Sequence, residues 1–169
     1  VSAFKEITPK EITNNPFELI GDDWALVTSG SKEKFNTMTV SWGGVGIMWG
    51  KPVAFTFIRP QRYTFEFTEN NNYYTMSFFD ESYRDALKFC GSKSGRDVDK
   101  VKECNLTPNF DENAPYFEEA QLVLVCKKMA KSKFDPKDFT DASIDGRWYP
   151  EKDFHYIYFA EIEKVLISE

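Results

Sequence analysis

Short segments rich in β-branched and aromatic residues recur along the whole chain, and they restrict the possible folds more than any other feature. Turn-forming glycine, proline, asparagine and aspartate separate them at close intervals. Many strands with few helices between them are typical of an antiparallel sheet or barrel, because a doubly wound parallel fold needs crossover helices. We therefore predict a mainly β fold with a few helices, with strands over residues 2–7, 24–29, 35–42, 51–58, 73–78, 118–129 and 154–167.

Helices are predicted in only some of the intervals between these strands, over residues 16–20, 61–69, 81–89 and 94–103. Asp80 is the expected cap of the third helix, and Gly91 is expected just past its end. Four glycines between positions 43 and 50 are expected to break regular structure there. No internal repeat or linker divides the 169 residues, so the sequence predicts a single domain over residues 1–169.

Charge and cysteine content argue against several classes of protein. The net charge is −6 and the isoelectric point is near 5.0, whereas a nucleic-acid-binding surface concentrates basic residues. No apolar run approaches the roughly 18 residues of a membrane-spanning helix, so no membrane partner is expected. The three cysteines lack a metal-binding spacing, and their odd number predicts reduced, buried thiols in a cytoplasmic protein.

The single histidine, His155, limits the enzyme classes open to this chain. A Ser-His-Asp triad would depend on it, and the sequence contains no G-x-S-x-G motif. Its surroundings alternate like a strand, so a strand histidine, which is the commoner case, and a catalytic histidine both stay open. We therefore predict no catalytic side chain, and we expect a cofactor to supply any chemistry.

The predicted strand 35–42 carries an unusual row of hydroxyl side chains. The alternation of a strand places three of them on one face, those of Thr37, Thr39 and Ser41. Together with backbone N–H groups at a sheet end, such a row suits the carbonyl and nitrogen atoms of a flat heterocyclic ligand. A solvated strand face has the same composition, and the residues alone leave both interpretations open.

The junction between the strand ending at Arg59 and the next helix is a candidate phosphate site. Pro60 suits the first turn of a helix, and a helix N-terminus offers unpaired N–H donors to an anion. Arg59 and Arg62 would add charge-assisted hydrogen bonds, and Thr64 would add a hydroxyl. The alternative is an ordinary helix start whose arginines pair with surface acids.

A second candidate anion site lies around Gly91–Asp97, where serine and basic residues cluster at a predicted helix start. The segment lacks the G-x-x-x-x-G-K-[ST] spacing of a P-loop, so nucleotide triphosphate hydrolysis is not indicated. The alternative to an anion site is capping of the helix by Ser94 or Asp97, and from this segment alone we favour capping.

Considered together and in order, these segments resemble the flavin-reductase-like FMN-binding family, particularly its flavoredoxin-type members. The segments are NTMTVSW, KPVAFTFIRPQRYTFEF and FCGSKSGRDVDK, and the late segment DGRWYPEKDFHYIYFAEIEKV is similar to the closing loop and strand of that family. The resemblance spans roughly residues 10–167 and is therefore not confined to one motif. It implies an antiparallel split β-barrel that forms a homodimer, with FMN near the subunit interface.

The resemblance also implies which residues hold FMN. The isoalloxazine and ribityl chain would lie along Asn36, Thr37, Met38, Thr39 and Ser41. The phosphate would be surrounded by Arg59, Arg62, Tyr63 and Thr64. A third group would complete that side or the ring edge, namely Ser92, Lys93, Ser94 and Arg96. Trp148 and Tyr149 are expected to cover the ring, from the same subunit or from the other.

Three functions are compatible with this resemblance. The first is an FMN-dependent oxidoreductase that passes electrons from NAD(P)H through bound FMN. The second is a flavoredoxin-like carrier that exchanges electrons with redox proteins and has no pyridine-nucleotide site of its own. The third is a split-barrel ligand-binding module that is not an enzyme. The oxidoreductase is the leading hypothesis, and the other two are its alternatives. No G-x-G-x-x-G motif follows a predicted strand, so a Rossmann dinucleotide site is not expected, and the sequence does not decide between NADH and NADPH.

Overall fold

Ten β-strands make up most of the regular structure of residues 3–169, the part of the chain that the computed structural model describes. They are β1 (Phe4–Ile7), β2 (Ala25–Gly30), β3 (Phe35–Val40), β4 (Gly43–Met48), β5 (Lys51–Ile58), β6 (Tyr73–Phe78), β7 (Pro108–Asn109), β8 (Tyr116–Phe117), β9 (Leu122–Lys133) and β10 (Tyr156–Ser168). The predicted mainly β fold is confirmed. Ser2 of the first predicted strand lies outside the described residues.

Five short α-helices connect or cover these strands: α1 (Pro16–Glu18), α2 (Tyr63–Asn70), α3 (Arg84–Ser92), α4 (Lys100–Glu103) and α5 (Ser143–Trp148). A π-helical turn (Leu19–Asp23) continues α1, and three single 3₁₀ turns occur at Pro9–Glu11, Glu81–Tyr83 and Pro136–Asp138. None of the helices in the described part of the chain is both long and apolar enough to cross a membrane.

All strand pairs of the main sheet are antiparallel, and the strand order is β3-β2-β6-β9-β10-β5-β4, with β1 pairing to β10. The two strands at the ends of this order, β3 and β4, are separated in sequence by Ser41 and Trp42 alone. The sheet must therefore curl until its two edges approach each other. Because no pairing joins β3 to β4 within residues 3–169, the barrel stays split along this seam.

The long strand β10 makes the closure possible because it pairs with two different strands on one side. Its first half pairs with β5, its second half pairs with β1, and β9 runs along its other side. The register between β9 and β10 shifts at Phe159/Ala160 and at Ile162/Lys164. Such bulges bend a strand and increase its twist, as a closing barrel requires.

Strand alternation produces two hydrophobic cores from the same sheet. One set of side chains, including Val27, Met76 and Leu124, points into the barrel. Their neighbours in sequence point outward and are covered by α3 and the segment around β8, where Leu87 and Phe117 are buried. The outer layer thus holds α3 against the sheet close to β3.

The predicted break in regular structure at residues 43–50 is wrong, since β4 occupies most of it. The glycines allow the neighbouring strand β5 to lie close to β4, and they do not interrupt the strand. A Cβ atom on Gly43, where φ is +142°, would lie 2.8 Å from the carbonyl oxygen of Phe55, and a Cβ atom on Gly46 would touch the Phe55 ring. The glycine signal therefore marks a close backbone approach along an edge strand.

The predicted helix limits also need correction near the candidate phosphate site. Pro60 lies in a turn before α2, which begins at Tyr63 with Arg62 as its N-cap residue. The helix α3 contains Gly91 instead of ending before it, and Asp80 caps the preceding 3₁₀ turn by accepting from the Ser82 N–H group. In the predicted helix 94–103, only Lys100–Glu103 are α-helical.

Candidate functional site

Two cavities lie along β3, at opposite ends of the strand. The arginine cavity encloses about 180 Å³ and is lined by Met38, Thr39, Val40, Ser41, Trp42, Phe57, Arg59, Arg62 and His155. The lysine cavity encloses about 620 Å³, and its walls include Asn36, Thr37, Tyr63, Gly95, Arg96 and Lys100. Most of the residues predicted to hold a cofactor line one of these cavities. Those that line neither are Thr64, Ser92, Lys93 and Ser94.

Arg62 carries the least satisfied charge in the arginine cavity. Its Nη2 atom is buried and has no hydrogen-bond partner among the described residues. Burial lowers the pKa of this guanidinium, and the nearby charge of Arg59 lowers it further. A buried charged donor without a partner costs free energy, and an anion in the cavity would remove that cost. The alternative, in which both arginines pair with surface acids, does not hold for Arg62, which forms no ion pair among the described residues.

Arg59, by contrast, already has partners within the chain. Its Nη1 lies 3.0 Å from a carboxylate oxygen of Asp153, and its Nη2 donates to the Trp148 carbonyl oxygen at 3.0 Å. The guanidinium also lies over the Tyr149 ring, 4.8 Å from its centroid. The Arg62 N–H group donates to the Arg59 carbonyl oxygen, so one turn holds both arginines at the cavity.

Two hydroxyls of the predicted row, those of Thr37 and Thr39, form hydrogen bonds within the protein. The Thr37 Oγ1 atom lies 2.9 Å from Thr28 Oγ1, and Thr39 donates its hydroxyl hydrogen to the Leu87 carbonyl oxygen of α3. The solvated-face interpretation is thus wrong for Thr37, which is buried. Because β3 is an edge strand, what it offers to a ligand is chiefly its unpaired main-chain groups.

The end of α3 and the segment after it pack onto β3 and α2, so the three predicted groups are neighbours. A Cβ atom on Gly91 would lie 3.2 Å from Thr39, and a Cβ atom on Gly95 would lie 2.0 Å from Asn36 Oδ1. Asn36 in turn donates its side-chain amide to the Thr64 hydroxyl at 2.9 Å. Thr64 is completely buried, and it therefore supports Asn36 from behind the cavity wall.

The polar side chains of this third group are largely engaged locally. Arg96 forms an ion pair with Glu66 at 2.9 Å and lies over the Tyr63 ring. Ser94 accepts from the Arg96 N–H group at 3.1 Å within a turn. The predicted capping of the helix by Ser94 or Asp97 is wrong, because α4 begins at Lys100 and its N-cap residue is Asp99. Ser92 donates to the Phe89 carbonyl oxygen, and the side chain of Lys93 is exposed.

The sequence interpretation missed Lys100, which is only 4% exposed. Its Nζ atom donates to the carbonyl oxygens of Thr37 at 2.8 Å and Cys90 at 2.9 Å, and so ties α4 to β3 and α3. Burial, followed by the charge of Arg62, lowers the pKa of Lys100 to about 8. The one available signal was its position next to Val101 and one turn before Cys104, on the inward side of the predicted helix.

His155 lies one residue before β10 and lines the arginine cavity, a placement that the strand pattern did not predict. Its Nδ1 atom lies 2.6 Å from the Tyr149 hydroxyl oxygen, and its ring packs 5.3 Å from the Trp42 ring. Burial lowers the pKa of His155 to about 4, with a further contribution from the charge of Arg59. The imidazole is therefore neutral at pH 7, and if Nδ1 accepts from Tyr149, the ring hydrogen is on Nε2.

Trp148 and Tyr149 occupy different positions relative to the cavity. The Trp148 ring is half-exposed and meets the Trp42 ring edge to face at 5.1 Å, at the rim of the arginine cavity. Tyr149 is buried behind Arg59 and stacks on Phe139. Of the two, Trp148 is therefore the better placed to cover a ligand.

Together, these side chains combine positive charge with flat apolar walls. Arg59 and Arg62 line one cavity along β3 and Lys100 lines the other, and Asp153 pairs with only one of these three cations. Arg62 is near enough to Lys100 for its charge to lower the pKa of the lysine. Trp42 and Phe57 form aromatic walls beside the two arginines. The arrangement suits a ligand with one anionic group and one planar aromatic group, although the chain as a whole is acidic.

Comparison with known proteins agrees with this description. Residues 19–169 match the family model described as "Flavin reductase like domain". A comparison with curated protein sequences gave no significant match.

The fold is shared with several solved structures. The FMN-binding domain of a flavin reductases-like enzyme from Shewanella baltica OS155 superposes with a TM-score of 0.70 at 15% identity, covering 98% of this chain and 78% of that one. The flavoredoxin of Desulfovibrio vulgaris (Miyazaki F) gives 0.66 at 19% identity, with the same coverage. A protein with a split barrel domain from Shewanella frigidimarina NCIMB 400 gives 0.66 at 17% identity, covering 94% and 74%. The predicted split β-barrel is thereby confirmed.

Proposed function

This chain belongs to the flavin reductase like domain family, and from that premise we propose that it binds FMN noncovalently and passes electrons through it. The observation that carries the proposal is the buried, unpartnered Nη2 atom of Arg62 on the wall of the arginine cavity. A phosphate matches the geometry and the charge of such a guanidinium. The solved proteins from Shewanella baltica and Desulfovibrio vulgaris support the choice, since the first is described as FMN-binding and the second as a flavoredoxin.

In this proposal, Arg62 and Arg59 hold the phosphate, and Tyr63 at the start of α2 adds to this group from the wall of the lysine cavity. The exposed main-chain edge of β3 supports the ring and ribityl chain, with Ser41 as the hydroxyl at its open end. The segment Ser92–Arg96 closes the phosphate side. Thr64 and Lys100 act indirectly, because they fix Asn36 and the Thr37 carbonyl oxygen in place.

When bound, FMN supplies the hydride and single-electron chemistry that the side chains of this chain do not provide. The protein's part is to bind, orient and shield it. His155 is neutral and lies beside Trp42 and Phe57, so this part of the cavity wall adds no charge of its own. A hydrogen on His155 Nε2 would be available as a donor toward a ligand in the cavity.

We further propose that the protein is a homodimer whose interface includes the split in the barrel. The edge strand β4 and its surroundings expose large apolar side chains that a monomer would leave in water: Phe17 is 87%, Ile47 69% and Trp49 55% exposed. Exposed apolar patches of this kind mark association surfaces, and an unpaired edge strand adds backbone groups to them. A partner seated there would also lie against Trp42 and Ser41.

The central test is a titration of flavin-free protein with FMN and with riboflavin, followed by flavin fluorescence. We expect saturable binding of FMN and clearly weaker binding of riboflavin, because only FMN carries the phosphate. If the protein takes up neither flavin, the proposal is wrong. If it takes up both equally, the assignment of Arg62 to a phosphate is wrong.

A second experiment separates the enzyme from the carrier. Anaerobic mixing of the FMN-loaded protein with NADH or NADPH should bleach the flavin absorbance within a turnover time if the protein is an NAD(P)H-dependent oxidoreductase. If both nucleotides fail and a low-potential redox protein still reduces the flavin, the protein is a carrier. If bound FMN cannot be reduced by either route, the ligand-binding module is the remaining function. A cytoplasmic location belongs to the same proposal and agrees with the three free thiols.

A further inference from the structure

Two of the three cysteines meet in the layer that covers β3. The Sγ atoms of Cys90, near the end of α3, and Cys104, directly after α4, are 3.9 Å apart. Cys90 is fully buried and Cys104 is partly exposed. Cys126 lies apart from both, since it is buried inside the barrel.

We propose that Cys90 and Cys104 form a reactive thiol pair that closes a disulfide when it meets a low-molecular-weight disulfide such as oxidised glutathione. A disulfide bond is about 2 Å long, so each sulfur needs to move by only about 1 Å to close the present gap. The partial exposure of Cys104 gives the reagent access to one sulfur, and the second lies within reach of it.

The chemistry is a two-step exchange that needs no other reactant. Cys104 loses its proton to solvent, and its sulfur attacks one sulfur of oxidised glutathione, which breaks that S–S bond and releases one glutathione thiolate. Cys90 gives its proton to this thiolate and attacks the Cys104 sulfur, which expels the second glutathione as a thiolate. That thiolate takes up from solvent the proton that Cys104 released. Two protein thiols are oxidised to one disulfide, and one glutathione disulfide is reduced to two glutathione thiols.

The position of the pair gives this reaction a consequence for the candidate site. The chain between Cys90 and Cys104 carries Ser92, Lys93, Ser94 and Arg96, the third predicted ligand group. The Lys100 Nζ atom anchors this segment to β3 through the Thr37 carbonyl oxygen. A disulfide would fasten both ends of the segment, so that it stays against β3 even when the ligand is absent.

Burial of the two thiols slows this exchange. It raises the pKa of the Cys90 thiol to about 12 and also raises that of the Cys104 thiol. The attacking thiolate is therefore scarce at neutral pH, and we expect the rate to rise about tenfold for each pH unit in the mildly alkaline range. We therefore expect the pair to be oxidised slowly, in an environment that stays oxidising.

The test is to incubate the full chain with oxidised glutathione in mildly alkaline buffer and to count free thiols after denaturation. We expect the wild type to keep one of its three thiols, to melt about 5–10 °C higher than the reduced protein, and to revert with dithiothreitol. Cys126→Ala is the matched control and should lose both remaining thiols. Cys104→Ser should keep both of its thiols, and Cys90→Ala should retain glutathione on Cys104.

Two results would overturn the proposal: a folded wild type that keeps all three thiols, or a Cys104→Ser variant that loses thiols as fast as the wild type. The link to the ligand site rests on the proposed function and has its own readout. The Kd for FMN should be severalfold lower in the oxidised protein, because the segment is already ordered, and equal affinity in both states would contradict the link. If the disulfide forms in a protein that never binds FMN, the proposed function fails and the thiol pair stands.

Discussion

Replacing Arg62 by methionine should separate ligand binding from stability more sharply than any other single change. Methionine keeps much of the length of the side chain and removes its charge and its donors. Since Arg62 is proposed to supply a charge-assisted hydrogen bond to the FMN phosphate, its loss should cost about 2 kcal/mol of binding free energy, or about thirtyfold in Kd. Riboflavin, which lacks the phosphate, should lose no more than about threefold.

The same substitution should not destabilise the ligand-free protein. The Nη2 atom of Arg62 has no partner in the described structure, and Arg59 repels the charge. Removing it should leave the free energy of unfolding unchanged or raise it by about 1 kcal/mol. Arg59→Met is the matched control, because it breaks the ion pair with Asp153 and the bond to the Trp148 carbonyl oxygen. We expect that variant to lose about 1–3 kcal/mol of stability.

The assay combines flavin titrations with urea unfolding of the flavin-free proteins. For Arg62→Met we expect weaker FMN binding together with unchanged or higher stability, and for Arg59→Met we expect both quantities to fall. If Arg62→Met lowers FMN and riboflavin affinity equally, Arg62 does not bind the phosphate. If it destabilises the flavin-free protein as much as Arg59→Met does, its charge has a partner within the fold and the reasoning fails.

Three further predictions concern pH, the third ligand group and assembly. The pKa of His155 is about 4 in the folded protein against an ordinary 6.5. The unfolded chain therefore binds the extra proton, and the free energy of unfolding falls by at most about 3 kcal/mol as the pH drops through this interval. Urea titrations at the two ends of the interval should show a weaker pH dependence of stability in His155→Phe than in the wild type, and an unchanged pH dependence would contradict the assignment. A Cβ atom on Gly95 would lie 2.0 Å from Asn36 Oδ1, so Gly95→Ala should raise the Kd for FMN about tenfold, whereas Gly146→Ala, which has open space around it, should leave it unchanged. Ile47→Asp should convert the dimer to monomers in sedimentation experiments, while Met129→Asp at another exposed apolar position should not; a wild-type monomer would refute the proposed interface.

Much of the sheet could be predicted from the sequence because its strands carry a local signal. The alternation in residues 24–29, 35–42 and 73–78 corresponds closely to β2, β3 and β6, where one face packs in the barrel and the other under the outer layer. The strand β4 escaped prediction because its glycines are explained only by Phe55, which comes from the neighbouring strand. A local pattern cannot reveal a close approach between two strands.

The candidate site shows the same division between local and long-range information. Arg59, Arg62 and the hydroxyls of β3 could be selected from segments whose composition was unusual. Lys100 could not, because its function depends on the Thr37 carbonyl oxygen, 63 residues away in sequence. Which arginine lacks a partner depends similarly on Asp153, which reaches Arg59 from the far end of the chain. The sequence indicated the chemistry of the site, whereas the fold determines which charged side chains lack a partner.

The charges of Arg62 and Lys100, which no carboxylate neutralises in the described structure, explain why a bound anion should stabilise this region. Lys100 uses its donors on backbone carbonyl groups and cannot be neutralised by them, while Arg62 lies close enough to lower its pKa. In the ligand-free protein, the turn before α2 and the segment after α3 therefore meet β3 through cations that repel one another. A bound phosphate would attract all of them at once, so FMN should protect both segments from hydrogen exchange more than riboflavin does. The positive charge that costs free energy here in the ligand-free protein is thus what makes this part of the site selective for an anionic ligand.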